Sequence, residues 1–339
     1  MINRMGRVKK AGTVDFVEKE LKSPVGTQVL VKIKASCICG SDLHIFRGRH
    51  PSVSLPVTIG HEFTGEVIAV GEAVTDFQKG DRVVVEPSLP CGTCEACRHG
   101  EYSYCENLLF TYRVGDGAMA DYFIGSQEHM FRLPDKVSYE KGALTEPLAV
   151  AVHACKRAEI GLGDRVLVIG AGAIGIMIAA VCRKAGAAEV VISDLSTSRL
   201  AMAEKLGATH IVNAGKEDLK LEVGKWSGEK GFDKAFECVG AEATFRQTME
   251  LVKMNGLVTD VGIFEKTEIQ LDASLFVKKE LRVQGAQGYC WDFPDAIQIL
   301  QELPFEQMIT HHFQLEELRE ALETASDPNS NAIKVCINI

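Results

Sequence analysis

An excess of basic charge is missing from this chain: 37 Lys and Arg stand against 46 Asp and Glu, a formal net charge of −9. A surface of that sign repels nucleic-acid phosphate and anionic lipid, so neither is expected as the main partner. Long apolar runs are missing too. The stretch Val166–Cys182 is too short for a bilayer and is broken by glycine. The start, MINRMGRVKK, is basic but no apolar core follows it, so no secretion signal is read and the cytoplasm is the expected compartment. Internal repeats, low-complexity tracts and an obvious linker are absent. An even set of cysteines is lacking as well: there are 11, several of them clustered. In a long acidic chain of that compartment this speaks for metal ligands and free thiols rather than a disulfide framework.

What is present begins with Arg165–Asp194, RVLVIGAGAIGIMIAAVCRKAGAAEVVISD. A short apolar strand, Val166 to Ile169, leads into Gly170, Gly172 and Gly175 in the pattern G-x-G-x-x-G. An apolar helix, Ile174 to Ala185, follows, with Gly186 placed to end it, and Ala173 and Ile174 count with the glycines among the cofactor-binding residues. A second strand closes on Asp194. This order of strand, glycine turn, helix, strand and acid is the dinucleotide-binding unit. Gly170 permits the tight turn, Gly172 lets backbone approach a pyrophosphate, and Gly175 lets helix and strand pack closely. The free N–H groups at the helix start face the phosphates. Asp194 is placed to accept hydrogen bonds from the ribose 2′-OH of NAD and to repel the 2′-phosphate of NADP. Arg199, five residues on, keeps NADP open. Further strands are expected at Ile211–Asn213, Lys234–Cys238, Gly256–Val261 and Leu281–Gly285. That makes six with helical crossovers, the count of a doubly wound parallel sheet in an α/β fold.

The flanking residues read differently. Gln28–Ala35 alternates apolar and polar residues as a half-buried strand does. Strands are also expected at Gly65–Val70, Asp81–Val85, around Ala118–Ile124 and at Ile333–Ile339. Helices are expected from Pro147 to about Ala158, near Asp292–Gln301 and at Glu316–Thr324. Cys91, Cys94, Cys97 and Cys105 are spaced C-x2-C-x2-C-x7-C. Four thiolates so close together can close a tetrahedron on one zinc and leave no open position, which describes a structural site; an iron–sulfur cluster is the rival. Cys39, His61, Glu62 and Glu146 are scattered, and each taken singly reads as an ordinary buried or helix-end residue.

Taken together, Cys39-Gly-Ser-Asp, Gly60-His-Glu62, the Cys91–Cys105 lobe, Glu146-Pro147 and Gly170–Gly175 resemble the zinc-dependent medium-chain dehydrogenases, from near the N-terminus to the C-terminus. Glu146-Pro147 resembles the sorbitol (polyol) and threonine dehydrogenase branch, where simple alcohol dehydrogenases carry cysteine. The resemblance implies a GroES-like, β-rich catalytic domain over 1–150 with a structural zinc lobe at 91–105. It implies a Rossmann domain over 151–285 and a return to the catalytic domain over 286–339. It implies two zinc ions and NAD. The catalytic zinc would be held by Cys39, His61 and either Glu62 or Glu146, exchanging with water. Ser41 and His44 would relay the proton while hydride passes between a secondary alcohol and nicotinamide. The implied substrate is a polyol, sugar or sugar acid, with amino-alcohol oxidation of the threonine type or simple alcohol–aldehyde interconversion as alternatives; a non-catalytic, cofactor-binding relative is set aside because the zinc ligands, Ser41 and His44 are all kept. Phe46, Arg47, Phe110 and Tyr112 would line the pocket, and Arg47 and Arg113 would be free to pair with a carboxylate or phosphate. Gln287-Gly-Tyr-Cys290 resembles a pocket segment of sorbitol dehydrogenases, but Gly288 stands where those usually have arginine, which argues against sorbitol itself. A homodimer or homotetramer is implied as well.

Overall fold

A computed structural model describes all of residues 1–339 except Pro51, Asp116, Gly228, Glu229 and Thr267. The chain divides into two compact units, Met1–Glu146 with Phe293–Ile339, and Pro147–Asp292. Among the described residues no helix is long and apolar enough to cross a membrane. None of the 11 cysteines forms a disulfide.

The first unit is β-rich. Its main sheet runs Met130–Arg132, Arg82–Val85, Glu62–Val70, Gln28–Cys37, Lys334–Asn338, Ile309–Gln314, and Tyr122–Ser126 pairs separately with Gln28–Cys37. The alternation in QVLVKIKA has its physical counterpart here: Val29, Val31 and Ile33 are fully buried against Phe63, Val67, Val83 and Val85, while Lys32 faces water. The chain's last strand lies antiparallel to Gln28–Cys37, with Cys336 opposite Cys37. The chain's last strand thus completes the sheet begun by its third strand.

The second unit holds six parallel strands in the order His210–Asn213, Glu189–Asp194, Arg165–Ile169, Phe232–Glu237, Val252–Asp260, Arg282–Gly285. Numbered along the chain this is 3-2-1-4-5-6, the doubly wound order. Buried Leu167, Val191, Val212, Phe232, Ala235 and Val258 fill one face, as strands covered on both sides require.

Several boundaries differ from the sequence reading. The strand expected at Gly65 begins at Glu62, because Glu62 already pairs across to Cys37. The strand expected near Ala118 begins at Tyr122; Ala118 and Met119 instead donate their N–H groups to Gly60 and Ile59. The helix placed at Pro147 starts two residues earlier, at Thr145, which puts Glu146 inside its first turn. The helix placed at Glu316 begins as a 3-10 turn, Leu315–Glu317, and is α-helical over Leu318–Ser326. The helix Gly40–Phe46 and the strand Ile309–Gln314 are elements the sequence reading did not contain.

Candidate active site

The strand Gln28–Cys37 leads straight into Cys39, which is the N-cap of the helix Gly40–Phe46, in extended conformation at φ −95° and ψ 159°. The neighbouring strand opens with Glu62, directly after His61 and a turn at Gly60 whose φ of +94° suits glycine. Cys39, His61 and Glu62 therefore converge, and one donor atom from each lies within 4.8 Å of the others. His61 and Glu62 are buried and Cys39 is half-buried. Glu146 is also buried, but its carboxylate is not among the three atoms so gathered.

Two residues that the sequence reading gave no role complete this centre. Asp42 is fully buried. Its carboxylate accepts the N–H of Cys39 at 2.9 Å and of Gly60 at 3.1 Å, and stands 3.6 Å from His61 Nδ1. Burial alone would raise the Asp42 pKa, but His61 and the two backbone donors hold it below its ordinary value. Burial likewise opposes the charged form of His61, yet Asp42 and Cys39 outweigh it and lift the imidazole well above its usual range. A carboxylate behind the far ring nitrogen is how a metal-binding histidine is oriented. The second residue is Lys334, buried on the last strand, whose Nζ donates to Glu62 Oε1 at 2.5 Å. Asp42 had a signal in its spacing from Cys39, at the third helical position where an acid reaches back to the cap. Lys334 had none, since it lies 272 residues from Glu62.

A thiol, an imidazole and a carboxylate form the mixed donor set of catalytic zinc sites, three protein ligands with a position left open. Glu62 Oε2 is buried without a hydrogen-bond partner, and an acidic oxygen left bare in the interior is costly unless a cation meets it. These residues fit zinc. The second thiol-rich cluster fits it too. Cys91, Cys94, Cys97 and Cys105 bring their sulfurs within 4.8 Å of one another. The N–H groups of Thr93 and Cys94 lower the Cys91 pKa to about 6, while desolvation and Cys94 raise that of Cys97 to about 12. Thiols packed this tightly cannot all ionise without a cation among them.

In the second unit, Gly170 follows the first strand at φ +107°. A Cβ on Gly175 would come within 1.9 Å of the Gly170 carbonyl oxygen, whereas a Cβ on Gly172 would meet nothing within 4 Å. The turn is thus closed against the protein at Gly175 and open outward at Gly172, the N-cap of the helix Ala173–Lys184, so Ala173 and Ile174 form its first turn. Asp194 pins this turn: one carboxylate oxygen accepts the Ala171 N–H at 2.7 Å and the other accepts the Ser196 N–H at 2.8 Å. Arg199 lies in the first turn of the helix Thr197–Leu206, which Ser196 caps. These groups fit a dinucleotide phosphate.

Ser41 and His44 stand three residues apart on the helix that begins at Cys39, both half-buried and on one face. Tyr112 packs on His61 with ring centroids 5.2 Å apart and stacks on Phe110 at 5.8 Å. Phe46 belongs to the same apolar cluster. Burial first, then the charge of Arg113, lowers the pKa of His50, which sets a cation near this wall. Arg47 points elsewhere, donating to the Ser326 carbonyl at 3.4 Å. Tyr289 is buried beside Gly288, which has φ +60°.

Two family descriptions match the chain, "Alcohol dehydrogenase GroES-like domain" over residues 26–135 and "Zinc-binding dehydrogenase" over residues 173–302. Sorbitol dehydrogenase of Bacillus subtilis (strain 168) is 35% identical over 316 residues, covering 91% of this chain and 90% of the relative. D-xylulose reductase of Saccharomyces cerevisiae is 39% identical over 321 residues, again 91% and 90%. A Sinorhizobium meliloti 1021 protein solved with NADP bound superposes with a TM-score of 0.93 at 28% identity, over all of both chains.

Proposed function

This chain belongs to the zinc-dependent medium-chain dehydrogenase family, in its polyol dehydrogenase branch, and on that premise we propose that it transfers hydride between NAD and a secondary alcohol of a polyol, sugar or sugar acid. The observation that carries this reading is the buried convergence of Cys39, His61 and Glu62. Those three would hold the catalytic zinc, with Glu146 as an exchange ligand, and Cys91, Cys94, Cys97 and Cys105 would hold a structural one. Zinc at the first site supplies Lewis-acid polarisation of the substrate oxygen and lowers the pKa of a hydroxyl. Asp42 orients His61. Ser41 takes the substrate's hydroxyl proton, having both donor and acceptor capacity, and His44 passes it outward. The apolar wall of Phe46, Phe110 and Tyr112 excludes water, and Arg113 would favour an acidic group on the substrate. The glycine turn at Gly170, Gly172 and Gly175 would seat the pyrophosphate, and the charge of Asp194 supports NAD over NADP.

The test is dinucleotide reduction by zinc-loaded protein, with NAD and NADP in parallel, across polyols, aldonates, threonine and primary alcohols. Turnover with NAD on a polyol or aldonate supports the reading. A clear preference for threonine or for a primary alcohol overturns the substrate class, and preference for NADP overturns the role given to Asp194. Ser41→Ala is expected to lower turnover by about a hundredfold while leaving zinc content unchanged; equal turnover in the two proteins removes Ser41 from the proton path. We further expect a homodimer or homotetramer joined along the strand Arg282–Gly285, which ends its sheet and leaves Val283 exposed; light scattering at the monomer mass rules this out.

A further inference from the structure

Two carboxyl groups that the proposed reaction does not use meet at the end of the parallel sheet. Glu237 and Asp260 are the last residues of adjacent strands and stand in register. They lie at the C-terminal edge, where such sheets take their ligands. Glu237 is fully buried. One of its oxygens accepts the N–H of Val239 at 3.0 Å, the N–H of Gly240 at 3.1 Å and the Thr244 hydroxyl at 2.6 Å; the other accepts the Gly240 N–H at 2.9 Å. Every one of those groups donates, so both oxygens of Glu237 act as acceptors that hold the following loop. Asp260 stands directly across from Glu237 on the neighbouring strand, and its Oδ1 is buried with no partner. A second negative charge beside a buried carboxyl group is disfavoured.

The pair is tied to the dinucleotide turn. A Cβ on Gly262, two residues past Asp260, would strike Glu237 Oε2 at 2.2 Å. On the other side, a Cβ on Gly170 would stand 3.1 Å from the Cys238 carbonyl and 2.8 Å from the Val239 side chain. The loop that Glu237 holds through Val239 and Gly240 is therefore the one packed against the turn. We propose that Asp260, paired in register with the buried Glu237, takes up a proton when a dinucleotide binds, so that Asp260 is a positioning residue whose ionisation weakens cofactor binding as pH rises. This rests on the dinucleotide role proposed above.

The sign follows from linkage. Burial first, then the charge of Glu237, lifts Asp260 to about 6, so the free protein loses this proton as pH climbs from 6 towards 8. A bound polyanion disfavours that second negative charge and retains the proton. The complex then holds more protons than the free protein, and affinity falls with pH. Among the described residues, the Cys238 thiol also faces the pair, and burial and the charge of Glu237 keep it well above its ordinary pKa and hence neutral. From the adjacent edge strand the contact is uncharged, Gln284 on Thr259, and from the following helix it is Thr244.

The experiment is titration of the zinc-loaded full chain with NADH and with NADPH from pH 6 to 8.5, followed by nucleotide fluorescence, in the wild type and in Asp260→Asn. The expected result is a Kd for the preferred dinucleotide that rises about fivefold or more between pH 6 and 8 in the wild type. In the asparagine variant it stays flat within about twofold and is the tighter of the two at pH 8. Binding enthalpies of the wild type in buffers of different ionisation heat should show net proton uptake near pH 7, a readout that does not depend on the variant folding. Equal slopes in the two proteins, or no proton uptake, overturn the inference while leaving dinucleotide binding intact. Failure of both NADH and NADPH to bind overturns the dinucleotide reading itself.

Discussion

Cys39→Ser is expected to bind one zinc ion per chain where the wild type binds two, and to lose at least about a thousandfold in turnover. Polarisation of a substrate oxygen by a metal is worth several kcal/mol, and each ~1.36 kcal/mol is a decade of rate. Serine is chosen because the fold should survive it. Cys39 is the N-cap of the helix Gly40–Phe46, and its N–H is already held by the Asp42 carboxylate. Serine is among the preferred N-caps, so the helix keeps its start, while an alcohol replaces a thiolate as ligand and should not retain the ion. The companion variant Cys94→Ser should show the complementary loss. It also falls to one zinc, but its penalty is in thermal stability, because a closed four-thiolate site contributes folding free energy rather than chemistry. Metal analysis, kcat and melting temperature on both variants separate the two sites. Two zinc ions retained in Cys39→Ser, or a loss of turnover under tenfold, would remove Cys39 from the proposed catalytic centre.

The parts of this molecule legible in the sequence are those whose physics is local. The six parallel strands read out because each is a short apolar run between turn residues, and strands covered on both faces need such runs. Of the four close-spaced thiols, all converge, since spacing of two and seven residues leaves the backbone little room to separate them. Glu146 shows the limit of local reading. The sequence sets it before a helix at Pro147, but the helix includes it, and the described donor cluster forms at Cys39, His61 and Glu62 instead. That cluster is made by register: Glu62 pairs with Cys37 across two antiparallel strands, and nothing between residues 37 and 62 encodes that alignment in a countable pattern. The Glu237–Asp260 pair is hidden for the same reason. Each acid ends an apolar strand and looks like a strand terminus, and only the parallel register makes them neighbours. Lys334 is the extreme case. A lysine in a terminal strand reads as an outward-facing residue, and it is buried only because the strand Lys334–Asn338 returns to the sheet that carries Glu62.

Lys334→Met is therefore expected to destabilise the β-rich unit by about 3–5 kcal/mol in metal-free protein, the cost of leaving a buried carboxylate without its partner. Glu62 has no exposed surface and Lys334 almost none, and the Nζ to Oε1 distance is 2.5 Å. Methionine keeps the length and apolar stem of lysine, so the packing change is small and the lost charge dominates. Total stabilities of about 5–15 kcal/mol are usual, so the loss should be plain as a drop in denaturant midpoint. Two controls make the cause visible. Adding Glu62→Gln to Lys334→Met removes the stranded charge, and the double variant should recover most of the stability, because a buried pair replaced on both sides costs far less than one broken on a single side. Adding zinc should also narrow the deficit of the single variant, since a cation held by Cys39, His61 and Glu62 meets the same carboxylate from its free oxygen, Oε2. If the metal-free single variant unfolds within about 1 kcal/mol of the wild type, or if zinc leaves its deficit unchanged, then Glu62 does not depend on Lys334 for its charge, and its second oxygen is not directed at the metal.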